Sequence, residues 1–204
     1  LTQRAINDTL EEATGDPGAS LGQALKTAIR YASDSNFDEL LTKAIAERNW
    51  LTAAGRLGDG IKHDDFAAAG KFLRKTLGVS AKASEASLAT AGASVLSDAE
   101  LASLRDHLAG GGKTDIKNGR ILGDALAQKN AAPRAALLAE YFLTGKDEPR
   151  ASLMTKKLAD ERTDLLAAAE RAQSAFHKLN EERKALAAVD ATVALYRLAR
   201  FSRQ

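Results

Sequence analysis

Between positions 152 and 201 the sequence contains neither proline nor glycine. Proline breaks a helix interior and glycine weakens it, so a stretch of this length without either can run as one helix. Its apolar residues recur with a helical period: Leu165, Leu166, Ala169, Ala172, Phe176, Leu179, Leu186, Val189, Val193 and Tyr196. The spacing predicts a helix starting at Ser152 or Thr163 and ending near Phe201. Over residues 163–201 it would span roughly 58 Å at the usual rise per residue. That exceeds a small domain's width, so the helix is either a spine for shorter helices or a projection toward something else. The period breaks at Arg183, which argues against a sustained coiled-coil seam.

The rest of the chain is built for helices too. Among 204 residues there are 42 Ala and 28 Leu, against four Val, six Ile and 5% aromatics. Ala and Leu favour helices, whereas strands draw on β-branched and aromatic side chains. An all-β fold is excluded, and several buried parallel strands are not supplied. The expected class is all-α: a multi-helix bundle forming one domain over residues 1–204, with the long C-terminal helix as its spine. Residues 1–36 are expected to form more weakly patterned N-terminal helices.

Shorter helices can be placed by period and caps. Ile6 and Leu10 mark the first, which Gly15, Asp16, Pro17 and Gly18 break. Leu21, Leu25, Ala28 and Ile29 mark the second. Asn36 can cap a third, carrying Phe37, Leu40, Leu41, Ala44, Ile45 and Leu51 and ending before a glycine-rich loop at 55–60. Asp64 or Asp65 can cap a helix with Phe66, Ala69, Phe72, Leu73 and Leu77, closed by Gly78. Residues 84–92 read as a weak Ala/Ser-rich helix. Ser97 and Glu100 form a capping box ahead of Leu101, Leu104 and Leu108. Gly110, Gly111 and Gly112 stop that helix. The next, through Ile116, Ile121, Leu122 and Leu126, is expected to be weakened by Gly119 and Gly123. Pro133 suits the first turn of a helix with Leu137, Leu138, Tyr141 and Phe142. No internal repeat of fixed period is present.

Several function classes fall away. Without cysteine there is no disulfide framework, thiolate metal site or thiol nucleophile. No stretch approaches the ~20 apolar residues of a membrane span. The start lacks the basic and apolar regions of a signal peptide. It begins at Leu1 and not at Met, so it reads as an excised piece of a longer protein with a cytoplasmic setting.

No catalytic site emerges. Gly112, Lys113 and Thr114 suggest a phosphate-binding loop, but the first glycine of that motif is replaced by His107, and a helix precedes it where a strand is needed. The 55–60 loop also lacks a flanking strand. His63, His107 and His177 are scattered and form no metal-ligand spacing. Acidic neighbours such as Asp64 with Asp65, Glu11 with Glu12 and Glu181 with Glu182 diverge by about 100° on a helix. No serine sits in a G-x-S-x-G setting. Trp50, Tyr141 and Phe142 could stack on bases, but beside leucines at helical spacing they read as core.

Charge is unevenly placed. Residues 1–40 hold three basic and seven acidic side chains, leaving 26 basic against 20 acidic in the remaining 164. Basic residues gather at Lys113, Lys117 and Arg120; at Arg150, Lys156 and Lys157; and at Arg197, Arg200 and Arg203. The net charge of +2 does not itself demand a polyanion.

Four stretches, in order, resemble one family. They are Phe37, Asp38, Glu39, Leu40 and Leu41 with Arg48 and Leu51; Lys113, Thr114 and Asp115 with Lys117; Tyr141, Phe142, Leu143 and Thr144 followed by Glu148, Pro149, Arg150 and Lys156; and Thr192 onward to Leu198 and Ala199. Together they resemble an internal helical region of AddA, the helicase subunit of the bacterial AddAB double-strand-break repair complex, itself similar to UvrD/Rep-type superfamily 1 helicases. The resemblance runs from about residue 37 onward. That family's ATP site needs Walker loops and arginine fingers, which this chain lacks, and the nuclease motif is absent too. The resemblance therefore implies a helical 1B insertion that engages DNA for a motor built elsewhere. It also implies ATP and magnesium in the parent and no cofactor here, with the motor domains and an AddB-type subunit as partners and no membrane. The candidate phosphate contacts are Lys113, Lys117, Arg120, Arg150, Lys156 and Lys157. The alternative is a non-enzymatic helical scaffold, for which an exposed Leu/Val stripe on the long helix would be the mark.

Overall fold

The protein is represented by a computed structural model that describes residues 2–31, 37–47 and 65–201. Asn36, Arg48, Trp50, Leu51, the 55–60 loop, His63, Asp64 and Arg203 lie outside the described residues.

The fold is all-α, as the Ala/Leu bias predicts. Among the described residues ten helices follow one another: α1 Thr2–Gly15, α2 Ser20–Tyr31, α3 Phe37–Ala46, α4 Phe66–Thr76, α5 Glu85–Ala93, α6 Asp98–Leu108, α7 Lys113–Ala127, α8 Ala131–Phe142, α9 Lys156–Glu161 and α10 Thr163–Phe201. Among the described residues, extended pairing is confined to an isolated antiparallel bridge between Leu143 and Pro149. The chain divides into two compact units, one of residues 83–183 and one of residues 1–82 with 184–204.

The long helix is continuous for 39 residues from Thr163. It does not reach back to Ser152, because Arg162 leaves helical geometry at φ −139° and separates it from α9. The unit boundary falls inside it, at Arg183, where the apolar period breaks. Before the break its buried Leu165, Ala169, Ala172 and Phe176 belong to one core. After it Ala194, Leu198 and Ala199 belong to another. A single helix that changes partners has no need of a constant stripe.

In the 83–183 unit, leucines of α6 (Leu101, Leu104, Leu108) pack with Leu122, Leu138, Tyr141, Phe142, Leu158 and Phe176. The rings of Tyr141 and Phe142 are 5.0 Å apart and those of Phe142 and Phe176 5.6 Å. Ser97 and Glu100 form the predicted capping box at the start of α6: the Ser97 N–H donates to Glu100 at 2.8 Å, and the Glu100 N–H donates back at 3.3 Å. The Ser97 hydroxyl also donates to the Glu100 carboxylate at 2.7 Å, and this bond first, with that from the Ser97 N–H, holds the carboxyl below the usual carboxylate range. The helix α7 runs unbroken through Gly119. A Cβ there would meet the Arg105 carbonyl oxygen at 3.2 Å and the Leu108 side chain at 3.4 Å, so glycine lets α7 lie close against α6.

In the other unit, Ile6, Leu21, Leu25, Ala28, Leu41 and Ile45 pack with the end of α10. Asp65 caps α4, accepting from the Ala68 N–H at 2.8 Å. Gly78 ends it as predicted: its N–H reaches Lys75 and that of Val79 reaches Arg74, the paired bonds of a Schellman stop. Phe66 meets Tyr196 edge-on at 5.6 Å, and the Arg197 guanidinium lies 4.7 Å over the Phe66 ring.

Candidate nucleic-acid interface

The site begins where α6 stops. The N–H groups of Ala109, Gly110 and Gly111 turn back to Arg105, His107 and Leu108, winding down the helix as the glycine run predicts. Gly112 is then the residue before α7, and it has no side chain with which to cap the helix. Asp115, three positions on, accepts from the Gly112 N–H at 3.0 Å through one carboxylate oxygen. Its other oxygen accepts from the Thr155 N–H, also at 3.0 Å.

That second bond joins segments 40 residues apart. The Asp115 carboxylate is only 1% exposed. A buried carboxylate is tolerated where backbone N–H groups surround it, and the positive end of α7 favours it further. Gly111 completes the arrangement, because any side chain there would run into the Asp115 carboxylate. Tyr141 packs nearby. Burial, with the Asp115 charge second, pushes its hydroxyl well above the usual range, so the phenol stays protonated. Its O–H faces the Leu153 carbonyl at 3.4 Å.

The consequence is a juxtaposition of basic residues. The backbone just before Lys113 and the backbone just before Lys156 are tied to one carboxylate. Along α7, Lys113, Ile116, Lys117 and Arg120 follow at i, i+3, i+4 and i+7, so they share one face. All four are exposed, while Asp115, Asn118, Gly119 and Leu122 fill the opposite face. Lys113, Lys117, Arg120 and Lys156 form no ion pair among the described residues. Ile116, 39% exposed, adds an apolar point within the cationic stripe.

The other two candidates are placed differently. Lys157 lies 3.9 Å from Glu161 on the surface of α9, a weak exposed pair. Arg150 donates to the Glu140 carbonyl at 3.0 Å, closing an open carbonyl near the end of α8. Its own carbonyl accepts from the Gln173 side chain, which also donates to the Phe142 carbonyl. Arg150 thus spends its guanidinium on folding the 143–155 connection.

Other candidates resolve into structure. Tyr141 and Phe142 are fully buried, as the core reading of them expects, and offer no face to a base. The helix α6 stands where a phosphate loop would need a strand. His107 donates from Nε2 to the Leu158 carbonyl at 2.8 Å, tying α6 to α9 as Asp115 ties α7 to the residue before α9. Among the described residues no group of His, Asp and Glu is placed to hold a metal ion, and no helix is long and apolar enough to cross a membrane.

The Asp115 staple escapes sequence reasoning only in part. An acidic residue three places after Gly112 has capping-box spacing and is visible in the sequence. Its bond to Thr155 leaves no local trace. Compared with protein-family models, curated proteins and solved structures, this chain finds no match.

Proposed function

We propose that the chain is a DNA-engaging helical accessory domain, without chemistry of its own, which presents the α7 stripe and the start of α9 to the phosphate backbone. The observation that carries this reading is the buried Asp115, which costs a turn and a loop their freedom and ties the start of α9 to the start of the stripe of Lys113, Lys117 and Arg120, where neither these three nor Lys156 forms an ion pair among the described residues. Positive side chains held in place lose little entropy on meeting phosphates and gain from counterion release. The parent context, a 1B insertion of an AddA-type helicase acting in double-strand-break repair by recombination with an AddB-type partner, is supported by the ordered residue resemblance alone. The scaffold alternative has less in its favour: among the described residues the exposed large apolar side chains are Ile29, Leu40, Leu77 and Ile116, none on α10.

The test is salt-dependent binding of the 204-residue chain to a fluorescent DNA duplex and single strand. Affinity is expected to be micromolar or weaker and to fall with salt. Lys113→Ala/Lys117→Ala should flatten the salt slope by about 0.9 per lost contact on duplex, or about 0.7 on a single strand. An unchanged affinity and slope in that double variant would remove the stripe from the interface.

A further inference from the structure

Three helices of the 83–183 unit enclose a second feature, a groove of about 630 Å³ that shares no lining residue with the α6–α7 turn. It exists because the sequence puts alanine where leucine would fill the space: α5 and α8 contribute six alanines to its walls. Its floor is set by Gly92, where a Cβ would stand 3.3 Å from the Phe176 ring and 3.6 Å from the Ala135 methyl. The lining stretches 85–92, 132–139 and 176–183 each cover two helical turns, about 10 Å.

Beyond Phe176 on α10 the groove turns polar. Asn180, one turn on, is 5% exposed, and its Oδ1 accepts from Arg183 Nε at 3.3 Å and Nη2 at 2.9 Å. Two arginine donors fix which end of the amide is oxygen. The other end is therefore an NH₂ donor, and Asn180 Nδ2 is buried with no acceptor in the protein. Native proteins rarely leave such a group unanswered. The exposed Arg183 guanidinium beside it makes an anionic acceptor the favoured answer. Glu85, the acidic residue on the lining, is engaged in an interaction of its own.

We propose that this groove binds a single-chain amphipathic carboxylate, with its chain against the alanine walls and its carboxylate accepting from Asn180 Nδ2 beside Arg183. The site is independent of the phosphate-binding stripe, and neither reading needs the other.

Decanoate is the probe, with decanol and decyltrimethylammonium as comparators, read by calorimetry and by the NMR signal of the Asn180 side-chain amide. Decanoate should bind saturably and shift that amide. Decanol should bind about tenfold more weakly, as the loss of a charged hydrogen bond implies. Asn180→Leu should weaken decanoate by about the same factor and leave decanol unchanged. Ala136→Phe fills the groove from its exposed rim while keeping Asn180 and Arg183, and should abolish binding of both. Equal binding of all three probes, an Asn180 amide unmoved at saturation, no saturable binding of decanoate, or binding that survives Ala136→Phe would each refute the assignment.

Discussion

The two units are held together by different means, although one helix serves both. Among the described residues, the principal core cluster of the 83–183 unit is made mostly of large side chains, and three of its seventeen buried members are alanine. In the described cluster that α1, α2, α3 and the end of α10 form in the other unit, five of eleven are alanine. Each large buried side chain removes more apolar area from water, so an average member of the first cluster contributes more than one of the second. The first unit also uses partly or fully buried polar side chains to fix its connections: Asp115 to Thr155, His107 to Leu158, Gln173 to Phe142. In the second, Arg197 makes a longer bond of 3.4 Å to the Ser20 carbonyl and stacks on Phe66, and Arg74 reaches the Ser80 carbonyl at 3.2 Å. Large residues make a core stable. Polar ties specify where its loops go, and that is what a surface of positioned cations requires.

The largest expected effect breaks the comparison at its centre. Phe142 and Ala199 are both 0% exposed, one in each core. Phe142→Ala should cost about 3–5 kcal/mol, since it removes a ring packed on two others and leaves a cavity. Ala199→Gly should cost about 1 kcal/mol, mainly helix propensity. Urea unfolding of both variants measures the difference. Equal losses would mean that the two cores do not differ as their compositions imply.

A smaller effect separates packing from polar specification. Asp115→Ala leaves the Gly112 and Thr155 N–H groups without their acceptor, at about 2 kcal/mol or more. The sharper signature is local. Amide exchange at Thr155 should accelerate far more than at Leu104 in the core of the same unit, and the salt slope of DNA binding should flatten as Lys156 leaves Lys113. If Thr155 keeps its protection, the staple does not hold the loop.

Most of this fold could be read from the sequence because its signals are local. Helix period, the Ser97–Glu100 box, the Asp65 cap and the Gly78 stop act within a few residues, and each appears where its spacing puts it. The break at Arg183 was visible, but its meaning, a change of core within one helix, was not. Propensity at Gly119 speaks for an isolated helix, and the close packing on Arg105 and Leu108 that glycine permits could not be seen from it. The basic clusters were legible as clusters. What joins Lys113 to Lys156 was not, since a side-chain bond spanning 40 residues leaves no period to detect. Arg150 could not be told from the free cations, because its partner is a backbone carbonyl. The groove escaped for the opposite reason: it is made by what the alanines lack.

The smallest effect sets an exposed carboxylate against the buried Asp115. At the start of α10, Asp164 receives two bonds from the Arg162 guanidinium, at 2.8 and 2.6 Å. Foremost through these bonds its carboxyl is pulled down to about 2, from an ordinary value of 3.8. A carboxyl whose folded value lies below its unfolded value binds fewer protons in the native state. Its contribution to stability is therefore present above pH 3.8 and is lost as the pH falls through about 2. The pair is solvent-exposed, so its effect is small and screened by salt. Asp164→Asn should lower the thermal midpoint slightly at pH 7, with the difference shrinking below about pH 4 and vanishing near pH 2. Raising the salt to about 1 M should erase most of it, whereas the loss in Asp115→Ala should persist, because bonds to a buried carboxylate are not reached by mobile ions. If salt abolishes both effects alike, Asp115 is acting as a surface charge, and the contrast between a buried carboxylate and an exposed one fails.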